Sequence, residues 1–194
     1  MSNIFIIISS FFAVISGLPY IRDVYLRKSK PREVSWITWG LLAAIAAAAS
    51  FSDHQYSSAI LSLWVVVITW TIAILGIKYG DRTFKLLDGI CLGSSAVGLI
   101  LWWAFNSPSI AIIASLSIDL VAAIPTFVHS WQKPNEETIS SYFLGLFASL
   151  FSLLAAKDFT ITAVASPIYY LIGDAALVFI LVTRTKSILN KNKH

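Results

Sequence analysis

Seven long apolar runs follow one another along the chain, separated by short polar segments. They cover residues 3–21, 34–51, 57–77, 86–105, 110–128, 139–156 and 160–183. Each run is close to the length of about 20 residues that crosses the hydrocarbon core of a bilayer as a helix. The pattern predicts an all-α integral membrane protein with seven transmembrane helices in one membrane domain, residues 1–194.

Composition supports this class. The mean hydropathy is +0.78 and 12% of residues are charged, whereas soluble domains carry about 25% charged residues. The first run has no positively charged segment before it, so we interpret it as a span and not as a cleaved signal peptide. The single cysteine, Cys91, excludes an intramolecular disulfide.

The basic residues predict the orientation. If the N-terminus is outside, only Lys157 of the fourteen Lys and Arg residues lies outside. The other thirteen fall on the inner side: Arg22, Arg27, Lys28, Lys30, Arg32, Lys78, Arg82, Lys85, Lys133, Arg184, Lys186, Lys191 and Lys193. The positive-inside rule then predicts a cytoplasmic C-terminus, and we expect the plasma (inner) membrane. The net charge of +4 is therefore interpreted as topological, with no nucleic-acid partner.

The chain contains an internal repeat. At an offset of 105 residues, "SWITWGLLAAIAAAASFSD" (35–53) aligns with "SSYFLGLFASLFSLLAAKD" (140–158) without a gap. Gly40 then matches Gly145, and Pro19 falls near Pro125. We interpret residues 1–77 and 108–184 as two parallel triple-helix repeats, residues 86–105 as a linker helix and residues 185–194 as a cytoplasmic tail.

This 3+1+3 arrangement resembles the PQ-loop and SWEET (MtN3-like) transporter superfamily. In each triplet a proline late in the first helix precedes a basic, serine-containing cytoplasmic loop. The residues that carry the resemblance are Pro19, Lys28, Ser29 and Ser35, and Pro125, Lys133 and Ser140.

The sequence also departs from that superfamily's pattern. Tyr20 and Thr126 stand where a glutamine follows the proline, and the second helix of each triplet has no proline. Gly40 and Gly145 are the only helix-weakening residues in those second helices. The resemblance therefore does not extend to the sugar or the lysosomal amino-acid branch.

Three acids lie within apolar runs. Asp119 and Asp174 are near the centres of the fifth and seventh runs, and Asp88 lies one turn into the fourth. A carboxylate in mid-membrane costs roughly 2.5–3.5 kcal/mol, so Asp119 and Asp174 are candidate functional residues, the alternative being a bond that holds helices together. Asp88 is within reach of water or Lys85, so its function is left open.

The resemblance implies that polar residues on the third helix of each triplet hold substrate. Thr69 and Asp174 occupy those places at the offset of 105. Tyr170 shares a helical face with Asp174. Trp70, beside Thr69, either stacks on a ligand or packs between helices. We predict Asp174, Asp119, Thr69, Trp70 and Tyr170 as substrate-binding residues.

Five residues are predicted to act as hinges or gates, because each weakens a helix inside an apolar run. They are Pro19, Pro125, Pro167, Gly40 and Gly145. Pro19 and Pro125 lie near the cytoplasmic ends of their helices, where repeat-related kinks would open and close an exit. Pro167 lies seven residues before Asp174 and frees a backbone carbonyl beside it.

These observations predict a transporter of a small polar solute, such as a sugar, amino acid or amine, by alternating access. The alternative is a seven-helix receptor or assembly subunit without transport activity. We expect no enzyme, since no nucleophile–base pair lies within the runs, and no metal or cofactor, since the three histidines lack metal spacing. Besides the solute, the bilayer is the expected partner. Proton coupling through the acids and assembly into a homo-oligomer are left open.

Overall fold

The computed structural model describes residues 2–31, 33–52, 56–79, 108–156 and 161–191, and the single residues 86, 89, 93, 100, 104 and 159. All regular structure among them is helical, which confirms the all-α class. The helices are α1 (Ser2–Tyr25), α2 (Glu33–Ser52), α3 (Tyr56–Tyr79), α4 (Pro108–Gln132), α5 (Ile139–Ala155) and α6 (Ile161–Lys191), with a 3-10 turn at Pro134–Glu136. The predicted linker helix, with Asp88, lies outside the described residues apart from five single helical positions.

The helix ends follow local signals. Proline occupies the first position of α4, where its missing N–H is not needed. After α1, Arg27 has a φ of 58°, in the left-handed region. The amide N–H groups of Arg27 and Lys28 donate to the carbonyls of Val24 and Asp23, at 3.0 and 2.8 Å. This is the Schellman arrangement that ends a helix.

The helices pack in two similar groups of three. Within the described residues, α3 contacts both α1 and α2, and α6 contacts both α4 and α5. Between the groups, α1 contacts α5 and α2 contacts α4. The first helix of each group therefore contacts the second helix of the other.

One end of the bundle holds the connections from α1 to α2 and from α4 to α5. The backbone N–H of Lys30 donates to the carbonyl of Glu136 at 2.9 Å. The hydroxyls of Ser29 and Thr138 are hydrogen-bonded at 2.5 Å. Helices α1 and α4 therefore run in the same direction. We call this end, formed by residues 26–31 and 133–138, the basic end.

Apolar side chains face outward along the helices. On α1, Ile4, Ile7, Phe11 and Leu18 are each more than half exposed and share one face. Similar pairs recur seven residues apart: Val67 and Ile74 on α3, Ile113 and Leu120 on α4, and Ile172 and Phe179 on α6. Apolar stripes on helix after helix are not expected of a soluble monomer and suit contact with lipid.

Three of the described helical stretches are long and apolar enough to cross a membrane: Ile4–Tyr25, Ile113–Gln132 and Val164–Ser187. Two shorter apolar stretches are Leu63–Tyr79 and Ile139–Ala155. The buried positions, by contrast, include many polar residues, among them Ser9, Ser35, Thr38, Thr69 and Asp119. A polar interior with an apolar exterior is typical of a helical membrane protein.

Candidate functional site

Asp119 of α4 is buried in the middle of the bundle and is bonded to α6. Its residue exposure is 6%, and the hydroxyl of Tyr169 donates to its Oδ2 at 2.8 Å. Buried polar groups need such a partner, because an unpaired carboxyl would lose its water without compensation. The bond therefore fixes α4 against α6 at the predicted acid.

Asp174 of α6 lies directly against Gly145 of α5. A Cβ built on Gly145 would collide with Oδ2 of Asp174 and would lie 3.0 Å from its Cγ. A side chain at this position would force the carboxyl of Asp174 to move. Gly145, which the sequence suggested as a hinge, thus makes space for the acid.

The first group of helices contains the matching contact. A Cβ on Gly40 of α2 would collide with the indole ring of Trp70 of α3 and would lie 3.1 Å from Oγ1 of Thr69. The offset of 105 residues relates Gly40 to Gly145 and Thr69 to Asp174. In both groups, therefore, the glycine of the second helix lies against the polar residue of the third helix, although at Gly40 the atoms of Trp70 are nearer than Thr69.

The two polar residues differ in what they bond. The hydroxyl of Thr69 donates to the carbonyl of Val65 at 2.7 Å, and the carbonyl of Val66 lies 3.2 Å away. This threonine is therefore held within its own helix. The carboxylate of Asp174 cannot be held in this way. It needs a hydrogen-bond donor, and the mid-helix N–H groups of its own helix are already bonded. Its carboxyl is the more available group for a ligand.

The charge of the acids is not balanced by basic residues of the helices. Helices α2, α4 and α5 and residues 161–183 of α6 contain no lysine or arginine. The basic residues of α1 and α3, Arg22 and Lys78, lie in the last turns of those helices, at the basic end. A proton, a cationic group or a hydrogen-bond donor is therefore the complement that this part of the bundle lacks.

The two aromatic residues predicted to bind substrate, Tyr170 and Trp70, are both partly exposed. Tyr170 is 46% exposed, and its ring is edge-on to that of Tyr169 at 5.2 Å. It is Tyr169 that bonds Asp119, a pairing that sequence reasoning missed. Trp70 is 42% exposed and packs on Gly40; its contact with a ligand stays a prediction.

The three prolines lie inside helices, as predicted: Pro19 in α1, Pro125 in α4 and Pro167 in α6. Tyr20 and Thr126, which follow the first two, are almost completely buried. The two prolines are thus equivalently placed at the basic end of each first helix. Whether these positions bend during function stays a prediction.

Hydrogen bonds join the helices at the two contacts between the groups, α1 with α5 and α2 with α4, which we call the seams. The hydroxyl of Ser9 on α1 donates to the carbonyl of Ala148 on α5 at 2.8 Å. On the other seam, Ser35 of α2 donates to the carbonyl of Ala122 on α4 at 2.6 Å. Ser140, the repeat counterpart of Ser35, is exposed. The repeat-related serines therefore have different environments.

Known proteins give no further guide: no family model, curated protein or solved structure matches this chain.

The glycine contacts give the first testable prediction. Gly145→Ala should destabilise the protein by up to about 1–3 kcal/mol, the usual cost of overpacking, because the Asp174 carboxyl has to turn away from the added methyl group. The matched control is Gly173→Ala in α6, where a Cβ would meet no atom within 4 Å. That variant should be neutral or slightly more stable, because alanine favours a helix. Thermal unfolding in detergent measures both, and equal melting temperatures for the two variants would contradict the close contact with Asp174.

Proposed function

We propose that the chain is a membrane transporter of a small polar solute that works by alternating access. Its architecture would be the seven-helix 3+1+3 form, with residues 1–77 and 108–184 as parallel repeats. The observation that carries the proposal is the pair of equivalent contacts, Gly40 with Thr69 and Gly145 with Asp174. Reciprocal packing of α1 on α5 and of α2 on α4 supports the same architecture.

The solute would bind at the acids of the second repeat. Asp174 and Asp119 provide carboxyl oxygens, and Tyr169 fixes the position of Asp119. Since no lysine or arginine of the helices balances these acids at mid-depth, the favoured solutes carry an amine or several hydrogen-bond donors. The same carboxyl groups can exchange a proton for the solute, which would couple transport to a proton gradient.

The movement would consist of rocking of one group of helices against the other about the two seams. Pro19 and Pro125 stand at equivalent places near the basic end, each next to a buried residue. A proline inside a helix lacks one backbone hydrogen bond, so bending there costs less than elsewhere. The two prolines would thus let the basic end open and close.

The proposed orientation places the basic end in the cytoplasm and the N-terminus outside, in the plasma membrane. Support comes from the distribution of the basic residues, thirteen of fourteen on one side. In cells that express Lys28→Cys, the introduced cysteine should react with an impermeant maleimide only after the cells are permeabilised. Labelling without permeabilisation would reverse the orientation.

Transport itself is tested with purified protein in liposomes. Labelled amines, amino acids, sugars and nucleosides are offered at a single concentration, and uptake is compared with protein-free liposomes. We expect saturable uptake of at least one class. A thermal-shift screen of the same panel detects binding, because a ligand stabilises the folded state by mass action. A compound that stabilises the protein without being taken up would favour the receptor alternative.

A further inference from the structure

Glu137 is a buried carboxyl at the basic end, outside the membrane-spanning helices. It follows the 3-10 turn with extended backbone, and its side chain has no solvent exposure. The hydroxyls of Tyr20 and Tyr142 both donate to its Oε2, at 2.7 and 3.0 Å. Nothing in the sequence singles out Glu137, because acids in a polar loop are usually solvated.

The two tyrosines come from different groups of helices. Tyr20 belongs to α1 and Tyr142 to α5, so Glu137 joins the first group to the second. Beneath it lies an apolar cluster that draws on both groups: Tyr20, Val24, Trp36, Ile72, Ala73, Tyr142, Leu177 and Leu181. The indole of Trp36 packs on Tyr20 at 4.7 Å between ring centres. The carboxyl therefore joins two members of the cluster, one from each group of helices.

The other oxygen of the Glu137 carboxyl, Oε1, lacks comparable hydrogen bonds within the described part of the chain. Oε1 of Glu137 is buried without a hydrogen-bond partner among the described residues. Nε2 of His129 lies 4.0 Å from this oxygen and is itself 3.4 Å from Oε2 of Glu136. A buried oxygen in this state is costly when charged and much less so when protonated.

Other charged groups around Glu137 pair mainly with Glu136. Nζ of Lys30 lies 3.0 Å and Nζ of Lys133 lies 3.6 Å from the Glu136 carboxylate. Thr138, next in the chain, donates to Asp23 of α1 at 3.2 Å. On α6, Arg184 donates to the carbonyl of Trp131. None of these contacts is made to the carboxyl of Glu137 itself.

We propose that Glu137 is a proton-binding site that controls the basic end, which closes when the carboxyl is protonated and opens when it is ionised. The closed form is the one seen here, in which residues 26–31 contact residues 133–138. Opening would bring water to the carboxyl and so relieve the cost of its buried charge. The inference does not rest on transport, because opening can be measured without a solute.

The environment of the carboxyl determines how closure of the basic end depends on pH. Burial raises the pKa of Glu137 to about 7 from an ordinary value of 4.5, although bonds from the two tyrosines lower it in part. The closed form therefore holds the proton more tightly than an open, solvated form. Closure is most favoured below pH 4.5, weakens as the pH rises, and reaches its minimum above about pH 7.

The experiment measures the exposure of Ser29, which is buried at the seam against Thr138. Ser29→Cys in a Cys91→Ser background is placed in lipid nanodiscs, which leave both faces open to a maleimide. Lys28→Cys, exposed and adjacent, is the matched control. The ratio of the two reaction rates removes the ordinary pH dependence of thiol chemistry. We expect this ratio to rise severalfold between pH 5 and pH 8, as expected for a carboxyl that titrates near neutrality.

Two variants separate the proposal from a purely structural role. Glu137→Gln should keep the ratio low and independent of pH. Tyr142→Phe removes a donor that favours the ionised carboxyl, so the midpoint of the rise should move to higher pH. If the bond from Tyr142 to Glu137 were purely structural, its loss in Tyr142→Phe would instead make the cysteine at position 29 more reactive at every pH.

His129 is the competing titrating group. In His129→Asn the rise should persist, with a shifted midpoint. The proposal is overturned if the wild-type ratio does not change with pH, if Glu137→Gln keeps the same pH dependence, or if only His129→Asn abolishes it. Should Glu137→Gln fail to fold, the direction of the midpoint shift in Tyr142→Phe decides.

Discussion

Replacing Asp174 with asparagine is expected to stop accumulation of the solute against a gradient while exchange of solute across the membrane continues. Asparagine has nearly the same shape as aspartate, so it should still fit against Gly145. It can also hydrogen-bond a solute, but it cannot gain or lose a proton at neutral pH. The expected result isolates the titrating charge from the shape of the site.

A site that only binds solute gives a different result. In that case Asp174→Asn should lower the apparent affinity by roughly tenfold for each 1.4 kcal/mol of lost charge interaction, and the pH dependence of uptake should be unchanged. Uptake into liposomes with and without an imposed pH gradient distinguishes the two outcomes. Melting temperature serves as the check that the variant is folded.

Asp119→Asn provides the comparison within the same site. Tyr169 can still donate to the amide oxygen at this position, so the fold should tolerate the change and the effect should be smaller than at Asp174. If both variants transport normally with an unchanged pH profile, the acids are structural. The receptor or assembly alternative would then be favoured.

The six described helices could be predicted from the sequence because each coincides with a long apolar run. The runs at 34–51 and 57–77 differ by only one or two residues at each end from α2 and α3. The largest difference is α6, which reaches Lys191, eight residues beyond the predicted end at 183. Hydropathy detects the membrane boundary, but a helix continues into water until a residue breaks it, and no glycine or proline follows Gly173.

The candidate site was predictable in part. Intramembrane acids are costly and therefore conspicuous, so Asp119 and Asp174 could be found from the sequence alone. The repeat offset also related Gly40 to Gly145 before any contact was known. That these glycines receive the polar side chains was not predictable, because a glycine in an apolar run suits a hinge and a close contact equally.

The pairings of Asp119 with Tyr169 and of Glu137 with two tyrosines could not be predicted. Tyr169 and Tyr170 are adjacent in the sequence and lie about 100° apart around the helix, so choosing between them requires the rotation of α6 against α4. Glu137 lies in a polar loop, and its carboxyl is held between Tyr20 of α1 and Tyr142 of α5. Both features depend on how distant parts of the chain pack, which a single sequence does not record.

A disulfide across the basic end is expected to abolish transport reversibly. Ser29 and Thr138 belong to different groups of helices, and their hydroxyl oxygens are 2.5 Å apart. Cysteines at these positions would place their sulfurs at a similar separation, near the bond length of about 2.05 Å that a disulfide needs. The bond would hold the basic end closed.

Alternating access requires that end to open in every cycle. In a Cys91→Ser background, Ser29→Cys with Thr138→Cys should therefore lose nearly all uptake after mild oxidation and regain it after reduction with dithiothreitol. Each single cysteine variant, oxidised in the same way, is the control and should keep its activity. A gel-shift assay with a thiol reagent measures the fraction cross-linked, so that uptake can be compared with the uncrosslinked fraction. Full uptake in completely cross-linked protein would mean that the basic end does not move, and that rocking of the two groups of helices is not how the solute crosses.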